Sequence, residues 1–150
     1  MRRHPCLIAL SHDHHHGLLL AQLIKKDAPP YKTLPQTTEG KIEYAMNAWT
    51  NELEKHFSNE EEILFPYIKG RDKTLDELIT KILAEHKTLK SMFHNLENSG
   101  NKIADLNDIG LKLESHIRLE ERELFQKIQE VFSSDELDLL EGKIQPVKQK

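Results

Sequence analysis

Apolar residues recur along the chain at steps of three and four, in four stretches set apart by polar or proline-rich breaks. That period puts them on one face of an α-helix. The first stretch carries Leu7, Leu10, Leu18, Ala21 and Ile24, and the second Met46, Trp49, Leu53 and Leu64. The third carries Ile79, Ile82, Leu89, Phe93 and Leu96, and the fourth Leu106, Ile109, Leu113, Leu124 and Ile128. No segment alternates with period two for long enough to make a strand. The first helix is expected from Cys6 to Lys26, with Pro5 in its first turn. DAPPYKTLPQTT, with its prolines, is a loop. The second helix starts near Thr38 or Glu39 and reaches Ile68, with Pro66 kinking or ending its last turn. Thr74 and Glu77 form a capping-box pattern for the third, which runs to Asn98 and stops at Gly100. Asp105 is the expected N-cap of the fourth, which ends near Phe132. Ser133 and Glu136 form a second capping box for a short fifth helix stopped by Gly142. Short connections favour antiparallel neighbours. The expected fold is therefore all-α: an up-down-up-down four-helix bundle with a short C-terminal fifth helix. A chain of 150 residues suits a single domain, residues 1–150, around one core.

Every stripe is broken near its middle by a histidine: His14, His56, His86 and His116. Two stripes also carry a glutamate four residues on, in the phrases HFSNEEEILFPYI from His56 and HIRLEERELFQKI from His116. Position i+4 lies about 40° round a helix from i, so Glu60 shares a face with His56 and Glu120 with His116. Glu61 and Glu121 lie about 140° round, which leaves Glu60 and Glu120 as the inward candidates. The levels agree as well. His86 and His116 sit about twelve residues into their helices and His56 about twelve from its helix end, each on the order of 18 Å along the axis. His14 lies nearer its helix start.

Four imidazoles and two carboxylates in one buried layer are costly unless something pairs them. Cations remove that cost: two glutamates can bridge two metals, with two histidines completing each. Imidazole and carboxylate together suit iron, manganese or zinc, and a pair of bridging carboxylates favours iron. Nine histidines and seventeen glutamates yield about one His-x-x-x-Glu by chance, so a single copy is weak. Two copies sharing a Glu-x-x-Leu-Phe tail are much stronger. His86 by itself reads as a core histidine, and the common layer promotes it. Within HDHHH, at most one or two histidines face the core. The stripe takes His14, with His12 and His15 left open, and His4 and His94 read as surface residues.

Composition narrows the function classes. Charged residues make up 31% and hydrophobic residues 37%, a helix-leaning and folded balance. A net charge of −4, with no basic patch interleaved with aromatics, gives no reason to expect nucleic acid. Cys6 is the single cysteine, so no intrachain disulfide forms and a reducing compartment is compatible. No run suits a secretory leader or a bilayer span, so the expectation is a cytoplasmic protein with no membrane partner. No Ser-His-Asp order stands out for nucleophilic catalysis. The chain is expected as monomer or homodimer, with Leu137, Leu139 and Leu140 capping the bundle or meeting a second subunit.

The segments ALSHDHHHGL, HFSNEEEILFP, EHKTL and HIRLEERELF resemble the four ligand segments of the hemerythrin-like HHE cation-binding domain, over Leu7 to Ile128. The resemblance implies a bundle around two non-haem iron ions (Fe2+/Fe3+) bridged by two carboxylates and an oxo or hydroxo group, with zinc or manganese as other metals. It implies His14, His56, Glu60, His86, His116 and Glu120 as ligands. Oxygen-carrying hemerythrins have a second histidine one turn after the third-helix ligand, where this chain has Lys90. Their fourth-helix acid follows its histidine by five residues. Here the spacing favours four, Glu120, with Glu121 as the other choice. Both departures resemble bacterial HHE proteins, including some linked to nitric oxide and iron–sulfur cluster repair. The implied function is binding of, or reaction with, dioxygen, nitric oxide or peroxide, in oxidative or nitrosative stress. The alternative is iron storage, delivery or sensing without turnover. Ferritin-like sites use Glu-x-x-His pairs, and none stands at matching core positions.

Overall fold

The computed structural model describes residues 2–147, and every regular element among them is helical. Helix α1 is Pro5–Ile24, α2 is the continuous rod 38–68, α3 is Lys73–Asn95, α4 is the rod 102–131 and α5 is Ser134–Asp138. Each start has a local cause. Thr37 accepts from the Gly40 amide ahead of α2, and Ser133 and Glu136 form the expected capping box ahead of α5.

Expectations at three helix starts change. The α3 cap is Asp72, whose carboxylate accepts from the Leu75 amide at 2.9 Å, so the box at Thr74 is not used. The α4 cap is Asn101, accepting from the Ala104 amide at 3.1 Å, so that helix begins before Asp105. His4 is buried rather than on the surface. Its Nδ1 accepts from the Cys6 amide at 3.0 Å, capping α1, while Nε2 donates to Asp138 at 2.9 Å and ties α1 to α5. A neutral imidazole with its proton on Nε2 satisfies both bonds. His94 is exposed, as expected.

The two long rods are not uniform. In α2 the backbone widens to π-helical hydrogen bonding at Trp49–Leu53 and again at Glu60–Leu64, and in α4 at Glu120–Leu124. Pro66 follows one of these widenings, but α4 has Gln126 at the matching place and widens all the same. Such a widening therefore does not need a proline. The widenings at Glu60–Leu64 and Glu120–Leu124 begin on the glutamate of the duplicated phrase, and π-bulges frequently mark functional sites.

The expected single core is split. One apolar cluster gathers Leu7, Leu10, Phe65, Ile82, Phe125 and Ile128 among others. The second gathers Leu20, Ile24, Trp49, Leu89, Phe93 and Ile109 among others. His14 and His86 lie between their helices' contributions to the two clusters, and His56 and His116 lie at the near edge of the second, beside Phe57 and Ile117, so the four form a polar layer at the boundary. Leu137 and Leu140 join the first cluster, so α5 caps that end, while Leu139 is exposed. Helices α1 and α4 approach most closely: a Cβ on Gly110 would lie 2.7 Å from the Ala21 carbonyl oxygen. No described helix is long and apolar enough to cross a membrane.

Candidate metal centre

The inward side chains come from the middle of all four long helices: His14 from α1, His56 and Glu60 from α2, His86 from α3, His116 and Glu120 from α4. All six are buried, and Glu60 and Glu120 have no exposure. His14 Nε2 lies 2.8 Å from Glu120 Oε1 and His116 Nε2 lies 3.5 Å from Glu120 Oε2. Glu60 Oε1 is 3.2 Å from His86 Nε2 and 3.6 Å from His56 Nε2. His56 Nε2 is also 3.7 Å from Glu120 Oε1. The donors fall into two groups whose atoms lie within 4.8 Å of one another. One is Glu60, His86, His116 and Glu120, and the other is His14, His56 and Glu120. Glu120 is common to both.

The same geometry settles which acid faces the cluster. Glu121 points away from it and takes Nδ1 of His14 at 2.8 Å. Within HDHHH, His12 and His15 are exposed. His16 is half-buried and pairs with Glu52 at 2.7 Å and the Tyr44 hydroxyl at 3.0 Å. Lys90 is exposed, so α3 offers the cluster His86 alone.

Around the six lies a ring of carboxylates that the sequence reading did not identify. His56 Nδ1 donates to Asp13 at 2.9 Å, His86 Nδ1 to Glu61 at 2.7 Å and His116 Nδ1 to Glu85 at 2.7 Å. With Glu121 on His14, every inward histidine has an acid on its outer nitrogen. An ionised carboxylate only accepts, so each ring carries a proton on Nδ1 and turns Nε2 inward; in His14 Nε2 also meets Glu120 at 2.8 Å, so without a cation that ring donates from both nitrogens. That is the arrangement that orients metal-binding imidazoles and raises their basicity. The signal in the sequence is a set of doublets: Asp13-His14, Glu85-His86, Glu60-Glu61 and Glu120-Glu121. In each, one member faces inward and its neighbour reaches a histidine on another helix. Phe57, next to His56, stacks on the His86 ring with centroids 3.9 Å apart.

Charges in the cluster are strained without a cation. Burial, then the Glu120 charge, raises the Glu60 carboxyl well above the usual range. Burial also opposes ionisation of Glu120, but His116, Glu60 and His14 outweigh it and hold that carboxyl well below. Burial opposes the charged form of His14, yet its bonds to Glu120 and Glu121 lift it to about 9. Burial lowers His86 to about 4.

A cation fits this set. Nε2 of His56, His86 and His116, both Glu60 oxygens and Glu120 Oε2 are buried with no hydrogen-bond partner among the described residues. Such atoms cost free energy unless bound. Donors about 2.1 Å from one cation sit roughly 3.0–3.4 Å apart at right or tetrahedral angles, close to the spacings found. Beside His14, His56 and His116 lies a cavity of about 20 Å³, lined by Leu20, Leu53, Phe57 and Ile117 together with Asp13, His16 and Glu52. It is large enough for one water-sized molecule.

Neither curated proteins nor solved structures give a match to the chain. The family model for the hemerythrin HHE cation-binding domain matches residues 7–128, a span that contains all six inward residues and the four outer acids. The chain thus belongs to the hemerythrin HHE cation-binding domain family.

Proposed function

We propose that this protein holds two non-haem iron ions in the buried cluster and uses them to bind or reduce a small molecule: dioxygen, nitric oxide or peroxide. The observation that carries this reading is the position of Glu120, shared by two donor groups. A single cation needs no such sharing. Bound iron supplies electrons and an open coordination position to a molecule beside it.

The chain's own residues do the rest. His56, Glu60, His86, His116 and Glu120, with His14, bind the cations. Glu60 and Glu120 neutralise their charge where water is excluded. Asp13, Glu61, Glu85 and Glu121 fix the imidazole planes. The His14–His56 group offers fewer protein donors than the other, and both its histidines line the cavity. The lining mixes Leu20, Leu53, Phe57 and Ile117 with Asp13, His16 and Glu52, and its small volume favours a small ligand over a large one. The up-down-up-down order belongs with this reading. In its support, α1 runs from the first core cluster to the second, α2 returns, α3 crosses again and α4 returns.

Metal analysis of protein purified without a histidine tag tests the first half, with about two irons per chain expected. Anaerobically reduced protein is then exposed to oxygen, nitric oxide or peroxide, and its visible spectrum is expected to change. Iron-loaded protein with an unaltered spectrum would sink the reactive reading and leave storage, delivery or sensing. A lone zinc would overturn the two-iron centre.

A further inference from the structure

After α5 the chain returns to the bundle. It turns at Gly142, whose φ is 85°, a conformation open to glycine and strained for other residues. Gln145 Nε2 donates back to the Gly142 carbonyl at 2.8 Å. Ile144 is buried in the first core cluster, and Asn59 of α2 donates to the Gln145 carbonyl at 3.4 Å. Val147 then lines the cavity beside His14 and His56. Its backbone N–H donates to Asp13 Oδ1 at 3.0 Å, while Asp13 Oδ2 takes the Nδ1 proton of His56 at 2.9 Å. Asp13 is thus held from both ends.

The other outer acids are steadied differently. Glu121 also accepts from Ser11 and Arg3, and Glu85 lies 3.7 Å from Lys112. Those neighbours belong to α1 and α4 or, for Arg3, to the chain just ahead of α1. Asp13 depends instead on the Val147 amide, in a segment outside any helix. Such segments open at lower free energy than packed helices.

We propose that residues 143–147 form a positioning strap: the Val147 amide fixes Asp13 and through it the His56 ring, and the Val147 side chain walls the cavity that a small molecule must enter. Opening the strap would loosen His56 and unblock that cavity together. The proposal rests on reading the cluster as an iron centre for its entry step, but the Asp13–His56 step stands on this chain's hydrogen bonds alone.

Two variants of the full chain separate the parts. Val147→Pro removes the N–H donor. Val147→Ala keeps the donor and trims the wall. In metal-free protein the readout is exchange of the His56 Nδ1 proton by NMR, with the His116 Nδ1 proton, held by Glu85, as internal control. In ferric, iron-loaded protein the readout is the rate of azide binding. Val147→Pro is expected to speed His56 exchange about tenfold, as loss of one net hydrogen bond allows, with His116 unchanged. Val147→Ala is expected to leave His56 exchange at the parent rate, and both variants to bind azide several-fold faster. The proposal is overturned if Val147→Pro leaves His56 exchange at the parent rate, or if His116 accelerates equally. It is also overturned if both variants bind azide at the parent rate. If the parent takes up no iron, the proposed function fails, and the imidazole comparison still decides the strap.

Discussion

Glu85 on α3 accepts the Nδ1 proton of His116 on α4 at 2.7 Å, so a residue outside the cluster fixes the direction of a ring inside it. His116 contributes Nε2 to the group that also contains Glu60, His86 and Glu120. Removing such a partner typically weakens metal binding by 10–100-fold without removing a ligand. Glu85→Ala is expected to lower cation affinity by about that factor. Competition with a chelator of known affinity measures it, and parent-like affinity would show that Glu85 does not orient the ring.

Glu120 and its neighbour Glu121 give opposite results despite equal chemistry. Glu120→Ala removes the oxygens common to both donor groups and is expected to reduce metal content to one ion per chain or fewer. Glu121→Ala removes the partner of His14 Nδ1 and is expected to keep the stoichiometry while weakening one ion about tenfold. Elemental analysis of the two variants decides, and a reversed order would assign the shared role to Glu121.

Acid and base act oppositely on the metal-free and metal-bound forms. The His14 pKa is raised from 6.5 to about 9 in the folded chain. A group raised on folding stabilises the fold fully below its unfolded pKa and loses that contribution as pH rises through the folded value. Metal-free protein is therefore expected to lose stability between pH 6.5 and about 9 from this group. Glu60, also raised, acts in the same direction above its unfolded pKa. Cations displace these protons, so their affinity is expected to rise over the same window. Denaturant melts and metal titrations across that range check both slopes. Metal binding independent of pH would mean that no proton leaves the cluster.

The α1–α4 contact has no room for a methyl group at Gly110, where a Cβ would meet the Ala21 carbonyl oxygen at 2.7 Å. Backbone cannot move aside as a flexible side chain can. Gly110→Ala is expected to destabilise by about 1–3 kcal/mol despite alanine's better helix propensity. Thermal unfolding should show a drop of several degrees, and an increase in Tm would mean that the two helices separate easily.

Cys6 is buried where α1 meets α5, and burial, then the charges of Asp138 and Glu141, raise its thiol to about 11. The thiolate is the reactive form. Alkylation at pH 8 is expected to be far slower than in the unfolded chain. Rapid labelling under native conditions would show that this end opens readily.

Much of the architecture was legible in the order of residues. Four apolar stripes with period 3.6 mark four helices, because only one face of each can leave water. The His-x-x-x-Glu phrases carry the inward set, because a four-residue step returns to the same helix face. Ser133 and Glu136 were readable as a cap for the same local reason, since both bonds close within one turn.

Features that depend on who lies opposite were not legible. Asp72 and Asn101 start α3 and α4 ahead of the anticipated Thr74 and Asp105, because several polar residues compete for one cap and the packed helix decides among them. His4 looked solvated until Asp138, far along the chain, came to meet it. The acids on His56, His86, His116 and His14 lie on other helices, so neither their pairing nor the π-helical widening at Glu60 and Glu120 follows from spacing along one segment. The sequence by itself put His56, Glu60, His86 and His116 on inward stripes, because helical periodicity is local, and left open the choice within HDHHH and between Glu120 and Glu121. The tertiary structure decided which oxygen meets which nitrogen, because a hydrogen bond between helices exists only once their register is set.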